Sequence, residues 1–252
     1  MVKYRLLALD LDGTVLTKDG QITAETKLAI SRATAAGVVV ILATGRGLHQ
    51  EIEVFREALK LETPMVLANG GEIWAGTGHI LERHYIHKKD VRMLHAMSIE
   101  AKADFGGYSV ERVTEEMNVW TDEMFDYDWM TFSIWHIDPL ACDQLRKQME
   151  HSTTLEVIHS TPTGLDFSLK GISKESGVRR ICEHLSIDMA SVMAIGDNLN
   201  DFNLVQSAGL GVAMGNADDK LKQVADRITD SNEENGVAKA INRYLFEGES
   251  IS

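Results

Sequence analysis

The chain has 252 residues, 44% of them hydrophobic, enough to bury the core of one large or two modest domains. A formal charge of −13 argues against the basic stripes that nucleic acid or an anionic membrane surface demands. The 2 cysteines, Cys142 and Cys182, lack metal-ligand spacing, which excludes a disulfide framework and suits a reducing cytoplasm.

The first element is the apolar run 4–9, short enough for a buried strand and cut by Asp10 too early for a signal peptide. Residues 15–22 leave room for a tight hairpin turning at Asp19-Gly20, not for a domain. A helix is expected over 23–36, capped by Thr23, with Leu28, Ile30 and Ala33 inward and a stop at Gly37. Strands follow at 38–43, ending in Thr44-Gly45-Arg46, and at 65–68, ending in Asn69-Gly70-Gly71.

Between Arg83 and Phe167 the pattern changes. A helix over 88–103 precedes a strand at 132–137, a helix over 139–150, and alternating strands at 154–158 and 165–169. Trp120, Trp129 and Trp135 fall here and read as a small core. A helix over 173–185, a strand at 192–195 before Gly196, a strand at 210–214 before Gly215, and a helix over 236–245 complete the chain. No stretch reaches the roughly eighteen apolar residues of a membrane span. The alternation reads as α/β: a doubly wound parallel sheet formed by residues 1–82 and 168–252, with an α+β unit, 83–167, inserted as a cap. Links near 76–83 and 169–172 are the expected hinges of that cap. A monomer is favoured, since no long apolar surface stripe stands out.

The chemistry concentrates in four loops. Asp10 and Asp12 lie where a strand runs into a glycine turn, the place where open α/β sheets bind ligands. Carboxylates this close repel unless a cation or a shared proton relieves them, which favours Mg²⁺ and divides their roles. Thr44 ends the second strand and offers a hydroxyl beside backbone N–H groups. Lys170-Gly171-Ile172-Ser173-Lys174 opens a helix, and Gly196-Asp197-Asn198-Leu199-Asn200-Asp201 follows a buried strand.

In order and placement these motifs resemble the Cof-type phosphatases of the haloacid dehalogenase superfamily, which carry a type IIB cap. The resemblance implies that Asp10 is a nucleophile that becomes an aspartyl phosphate. It implies that Asp12 protonates the leaving alcohol and then activates water. Leu11, Gly13, Thr44, Gly45, Arg46, Lys174 and Asn200 would contact substrate or phosphate. Lys174, rather than Lys170, would offset negative charge, although Glu175 replaces the small residue usual after this lysine. Asp10, Asp197 and the backbone carbonyl of Asp12 would hold Mg²⁺, with Asp201 behind them orienting a water or Lys174. Asn216 would stand near substrate. Asn235 precedes Gly236 where the family usually has an acid.

The implied activity is Mg²⁺-dependent hydrolysis of a small phosphorylated metabolite, sugar phosphates first. A phosphomutase and a non-catalytic binding protein are the rivals. The presence of Asp12 argues against a dehalogenase, which lacks the second acid. Outside the motifs, His84, His87 and His95 read as solvated histidines. Lys88, Lys89 and Arg92 read as a solvated helix face, and Asp122, Glu123, Asp126 and Asp128 as an acidic surface loop.

Overall fold

A computed structural model describes residues 3–48, 51–76, 78–111, 113–114, 120–135, 138–161 and 163–246. In chain order the elements open with β1 (Leu6–Leu9), α1 (Ala24–Ala35), β2 (Val39–Ala43), α2 (Ile52–Leu59), β3 (Met65–Leu67), β4 (Glu72–Gly76) and β5 (His79–Arg83). Next come α3 (Lys88–Ala101), β6 (Asp104–Ser109), β7 (Val113–Thr114), β8 (Trp129–Trp135), α4 (Pro139–Met149), β9 (Leu155–Thr161) and β10 (Gly164–Leu169). The chain closes with α5 (Lys174–Leu185), β11 (Val192–Gly196), α6 (Phe202–Ser207), β12 (Leu210–Ala213), α7 (Asp219–Val224), β13 (Arg227–Ile228) and α8 (Gly236–Ile241). Among the described residues no helix is long and apolar enough to cross a membrane.

One sheet has the order β13-β12-β11-β1-β2-β3-β4-β5. From β13 to β3 its pairs are parallel, and β4 and β5 add an antiparallel edge. The chain winds one way from β1 to β2 and β3 and returns on the other side as β11 and β12, so the strand order reverses at β1. A crevice opens at such a switch point, beyond the carboxyl end of the strand, and Asp10 stands there. Strand β1 is buried along its whole length, as a parallel strand covered on both faces must be.

Helix α1 starts where expected, with the Thr23 side chain accepting from the Thr26 N–H. Leu28, however, points outward and is 64% exposed. The inward stripe is Thr26, Ala29, Ile30 and Ala33, and Leu28 lies off it. The hairpin expected at Asp19-Gly20 reduces to a turn. Gly20 N–H bonds the Thr17 carbonyl, and a single bridge joins Asp12 to Leu16.

The cap is a five-stranded antiparallel sheet, β7-β6-β8-β10-β9, with its own core. Trp129 is fully buried, donates from its indole N–H to the Met124 carbonyl at 2.7 Å, and stacks on Trp120. His95 is not a solvated histidine. It packs against Phe105, Trp120 and Phe125, and burial lowers its pKa. Lys88 and Arg92 do lie on an exposed helix face, as expected. They reach Asp126 and Asp128, the acidic run that here forms a short 3₁₀ turn over Asp122–Asp126. The hinge placed at 76–83 is instead the β4–β5 hairpin of the first sheet. The chain crosses to the cap after Arg83, and the Ile86 N–H already bonds the Trp129 carbonyl.

Candidate active site

Three carboxylates and one ammonium form the centre. Lys174, first residue of α5, is completely buried, and its Nζ donates to Asp10 Oδ1 at 2.6 Å and to Asp201 Oδ1 at 2.7 Å. Its position follows from two local features. Ser173 caps α5 by accepting from the Ser176 N–H. Gly70, at φ +96°, lets the preceding loop lie against the Ser173 backbone, where a Cβ would meet the Ser173 carbonyl oxygen at 2.2 Å. Asp201 is held in turn by N–H groups of Asp197 and Asn198, both donating to its Oδ2.

Asp10, Asp197 and Asp201 present carboxylate oxygens within 4.8 Å of one another. Gly13, at φ +78°, makes room for Asp197, since a Cβ there would lie 2.2 Å from Asp197 Oδ2. The Thr14 hydroxyl donates to Asp197 Oδ1. Burial lifts the pKa of Asp10 well above the usual carboxylate range, opposed by Lys174 and reinforced by Asp201 and Asp197. Asp197 is pushed up to about 6, first by burial and then by repulsion from Asp201. Burial works against the Lys174 ammonium, but attraction to Asp10 and Asp201 prevails and raises its pKa. One ammonium cannot neutralise three carboxylates. An all-oxygen set with excess negative charge suits a hard divalent cation such as Mg²⁺.

Asp12 stands apart from this cluster. Its side chain is half exposed and held by Arg46 through a two-pronged bond, Nε to Oδ2 at 2.8 Å and Nη2 to Oδ1 at 2.6 Å. The Arg46 pKa is raised chiefly by this bond. Thr44 is buried, and its Oγ1 accepts from the Arg46 N–H, which folds the Thr44-Gly45-Arg46 loop over the end of β2. Leu11 is wholly buried beneath the Asp10–Thr14 turn, its carbonyl accepting from Leu16. Gly45 faces the Asn69 amide, and Asn200 Nδ2 donates to Asn69 Oδ1 at 3.1 Å. The structure thus brings Asp10, Asp12, Thr44, Gly45, Arg46, Lys174, Asn200 and Asp197 around one crevice.

Asn216 lies against the first loop. Its amide donates to the Gly13 carbonyl and accepts from the Asn232 N–H, so it braces the first loop. Asn69 is a residue that sequence reasoning passed over as a loop end. Ala68, Asn69 and Gly70 all have positive φ, at 49°, 53° and 96°. Such strain is tolerated where surrounding structure enforces it, and it lets the buried Asn69 donate its backbone N–H to the Thr44 carbonyl while its side-chain Oδ1 accepts from Asn200. The Asn69-Gly70 pair was the available signal, because both residue types accept the left-handed region.

The haloacid dehalogenase-like hydrolase family matches residues 7–129 and 128–241. The chain belongs to this family. It is 35% identical over 245 residues to a 5-amino-6-(5-phospho-D-ribitylamino)uracil phosphatase of Bacillus subtilis, covering 97% of both chains. A pyridoxal phosphate phosphatase of Escherichia coli is 29% identical over 271 residues, with 96% of this chain and 99% of that one covered. Among solved structures, a haloacid dehalogenase-like hydrolase from B. subtilis superposes with a TM-score of 0.88 at 24% identity, covering 96% of this chain and all, 100%, of that one. A subclass IIB sugar phosphatase gives 0.81 at 22% identity, covering 95% and 98%. These two share the fold. Family and relatives together make this family member a phosphatase.

Proposed function

We propose that the protein is a Mg²⁺-dependent phosphomonoester hydrolase that works on a small phosphorylated metabolite through an aspartyl phosphate. The observation that carries this reading is the fully buried Lys174 ammonium fixed between Asp10 and Asp201, with Asp197 beside them. Such a cluster holds a carboxylate nucleophile in place and leaves charge for a cation to balance.

In the first step an Asp10 oxygen attacks phosphorus and the ester oxygen leaves with a proton from Asp12. In the second, water attacks the same phosphorus, Asp12 takes its proton, and Asp10 is released with inorganic phosphate. Lys174 and the Thr44 hydroxyl stabilise the phosphoryl oxygens. Asp10, Asp197 and the Asp12 carbonyl would hold Mg²⁺, whose chemistry is to neutralise carboxylate and phosphoryl charge. Arg46 positions the Asp12 carboxylate.

Sugar and polyol phosphates are the preferred substrates of this reading. The B. subtilis relative supports it, since the compound it is named for carries its phosphate on a ribityl arm. The test is phosphate release with Mg²⁺ from a panel of sugar, polyol, pyridoxal and nucleoside phosphates, with Asp10→Asn as the blank. Release from related esters that is absent in the blank is expected. Isomerisation of a sugar phosphate with a bisphosphate primer, and no release, would make the protein a mutase instead.

A further inference from the structure

The first catalytic loop is held from the far end of the chain. Within the turn 10–16, the Leu11 carbonyl accepts from the N–H groups of Thr14 and Leu16. Two other carbonyls of the same turn are taken by asparagines more than two hundred positions away. Asn216 Nδ2 donates to the Gly13 carbonyl at 2.9 Å, and Asn232 Nδ2 donates to the Leu16 carbonyl at 2.8 Å. The two asparagines are themselves joined, since the Asn232 N–H donates to Asn216 Oδ1 at 3.0 Å. Next to them the Lys18 N–H donates to Glu233 at 2.7 Å. Among the described residues no hydrogen bond is donated to the Asp12 carbonyl.

The segment that carries Asn216 also touches the other acidic loop. The Asp218 N–H donates to the Asp197 carbonyl at 2.9 Å, while Thr14 of the first turn reaches Asp197 Oδ1 at 3.2 Å. Gly215 lets this segment lie against the last turn of the chain. Its N–H donates to the Asp230 carbonyl at 3.0 Å, and a Cβ there would come within 2.7 Å of the Ser231 nitrogen. Residues 214–218 are thus wedged between the loops of Asp10 and Asp197 on one side and the turn 229–236 on the other. Asn232 is only 9% exposed, so its bond to Leu16 is made away from competing water.

We infer that Asn216 and Asn232 are positioning residues that set the 10–16 turn and, through it, the affinity of the site for Mg²⁺. The inference rests on the metal reading above. Neither side chain bonds Asp10, Asp197 or Asp201, so both act through the backbone of the turn. Peptide planes are rigid, and each residue has only two soft dihedrals. With the carbonyls of Leu11 and Gly13 both engaged, the Asp12 carbonyl between them keeps little freedom of its own. Mg²⁺ demands near-octahedral geometry at short distances, so a carbonyl ligand that drifts is a weak ligand. Groups that orient metal ligands from behind typically govern affinity by about 10- to 100-fold.

The experiment is calorimetric titration of Mg²⁺ into the full chain, without substrate, for the parent, Asn216→Ala, Asn232→Ala, the double variant and Thr229→Val. Thr229→Val is the control, because it removes a bond to the Gly236 carbonyl in the same turn and touches neither acidic loop. Each asparagine variant is expected to raise the Mg²⁺ Kd about tenfold. The double variant is expected to raise it by clearly less than the product, since the two amides form one brace. Thr229→Val lowers Tm by a few °C and leaves the Kd within about twofold of the parent. Misfolded protein lowers the stoichiometry of the titration and not the Kd, so folding loss cannot imitate the result. Asparagine variants with a Kd within about twofold of the parent, or a Thr229→Val Kd raised as much as theirs, overturn the inference. A parent that takes up no Mg²⁺ instead sinks the metal reading. Hydrogen exchange of the 10–17 peptide in EDTA then decides the brace alone, because the Thr14 and Leu16 amides report on the turn. Faster exchange in both asparagine variants than in Thr229→Val upholds it, and equal exchange overturns it.

Discussion

Lys174→Met is the sharpest test of how the centre is held together. Lys174 is completely buried and bonds Asp10 at 2.6 Å and Asp201 at 2.7 Å. Methionine keeps the length of the stem and removes the charge, so Asp10, Asp197 and Asp201 face one another without a counter-ion. Removing one partner of a buried ion pair destabilises by about 3–5 kcal/mol. Asp10 escapes part of this by keeping a proton, since burial already lifts its pKa, which favours the low end of the range. At about 2–4 °C per kcal/mol for a chain of this size, Tm falls by about 6–12 °C. Adding Asp201→Asn removes one stranded charge and returns about half of the loss. The assay is thermal unfolding by circular dichroism in EDTA, repeated with Mg²⁺. Mg²⁺ raises the Tm of Lys174→Met more than that of the parent, because the charge excess has grown by one. Turnover of the best substrate falls about 100- to 1,000-fold. A Tm in EDTA within about 2 °C of the parent refutes the view that Lys174 balances this cluster.

Three further outcomes are expected. With a folded pKa of about 6 against an ordinary value near 3.9, Asp197 binds its proton more tightly in the folded state. Its contribution in EDTA is therefore most favourable below about pH 4 and is lost as pH rises through about 6, by up to roughly 2–3 kcal/mol. Asp197→Asn should gain on the parent in Tm across that window, and a difference that stays constant with pH contradicts the sign. Gly13→Ala places a Cβ 2.2 Å from Asp197 Oδ2 on a backbone at φ +78°, so Mg²⁺ affinity should drop sharply in a calorimetric titration. Unchanged affinity would detach that loop from the metal site. Asn69→Gly keeps a residue at ease with φ 53° and deletes only the amide that accepts from Asn200. About a tenfold fall in kcat is expected with Tm shifted by only a few °C, and normal kcat would leave Asn69 a purely structural residue.

The core sheet was legible in the sequence because its strands are short, continuous apolar runs that end in glycine turns, and parallel strands buried on both faces demand that composition. Its antiparallel edge was less so. Strand β5 mixes His79 and Glu82 with Ile80 and Leu81 at a half-solvated edge, which erases the apolar signal and made the hairpin read as a linker. Leu28 erred in the other direction. Residue type says what can be buried, whereas the phase of the helix decides what is, and the narrow stripe through Ala29 and Ala33 needs small residues where α1 meets the sheet. In the cap, Trp120 and Trp129 marked a core that Trp135 does not join, and the ring packing that draws His95 into it depends on contacts between distant segments.

The sequence by itself determined which chemistry is available. Asp10, Asp12, Thr44, Lys174 and Asp197 sit at strand ends and a helix start, where local pattern alone aims them at one edge of a sheet. What only the tertiary structure decided is how their charges are shared. Lys174 meets Asp10 across 164 positions of chain, Arg46 meets Asp12 across 34, and Glu72 is buried against Arg83 under a roof from the cap. Electrostatic roles depend on distance and desolvation, and neither quantity exists until the segments pack.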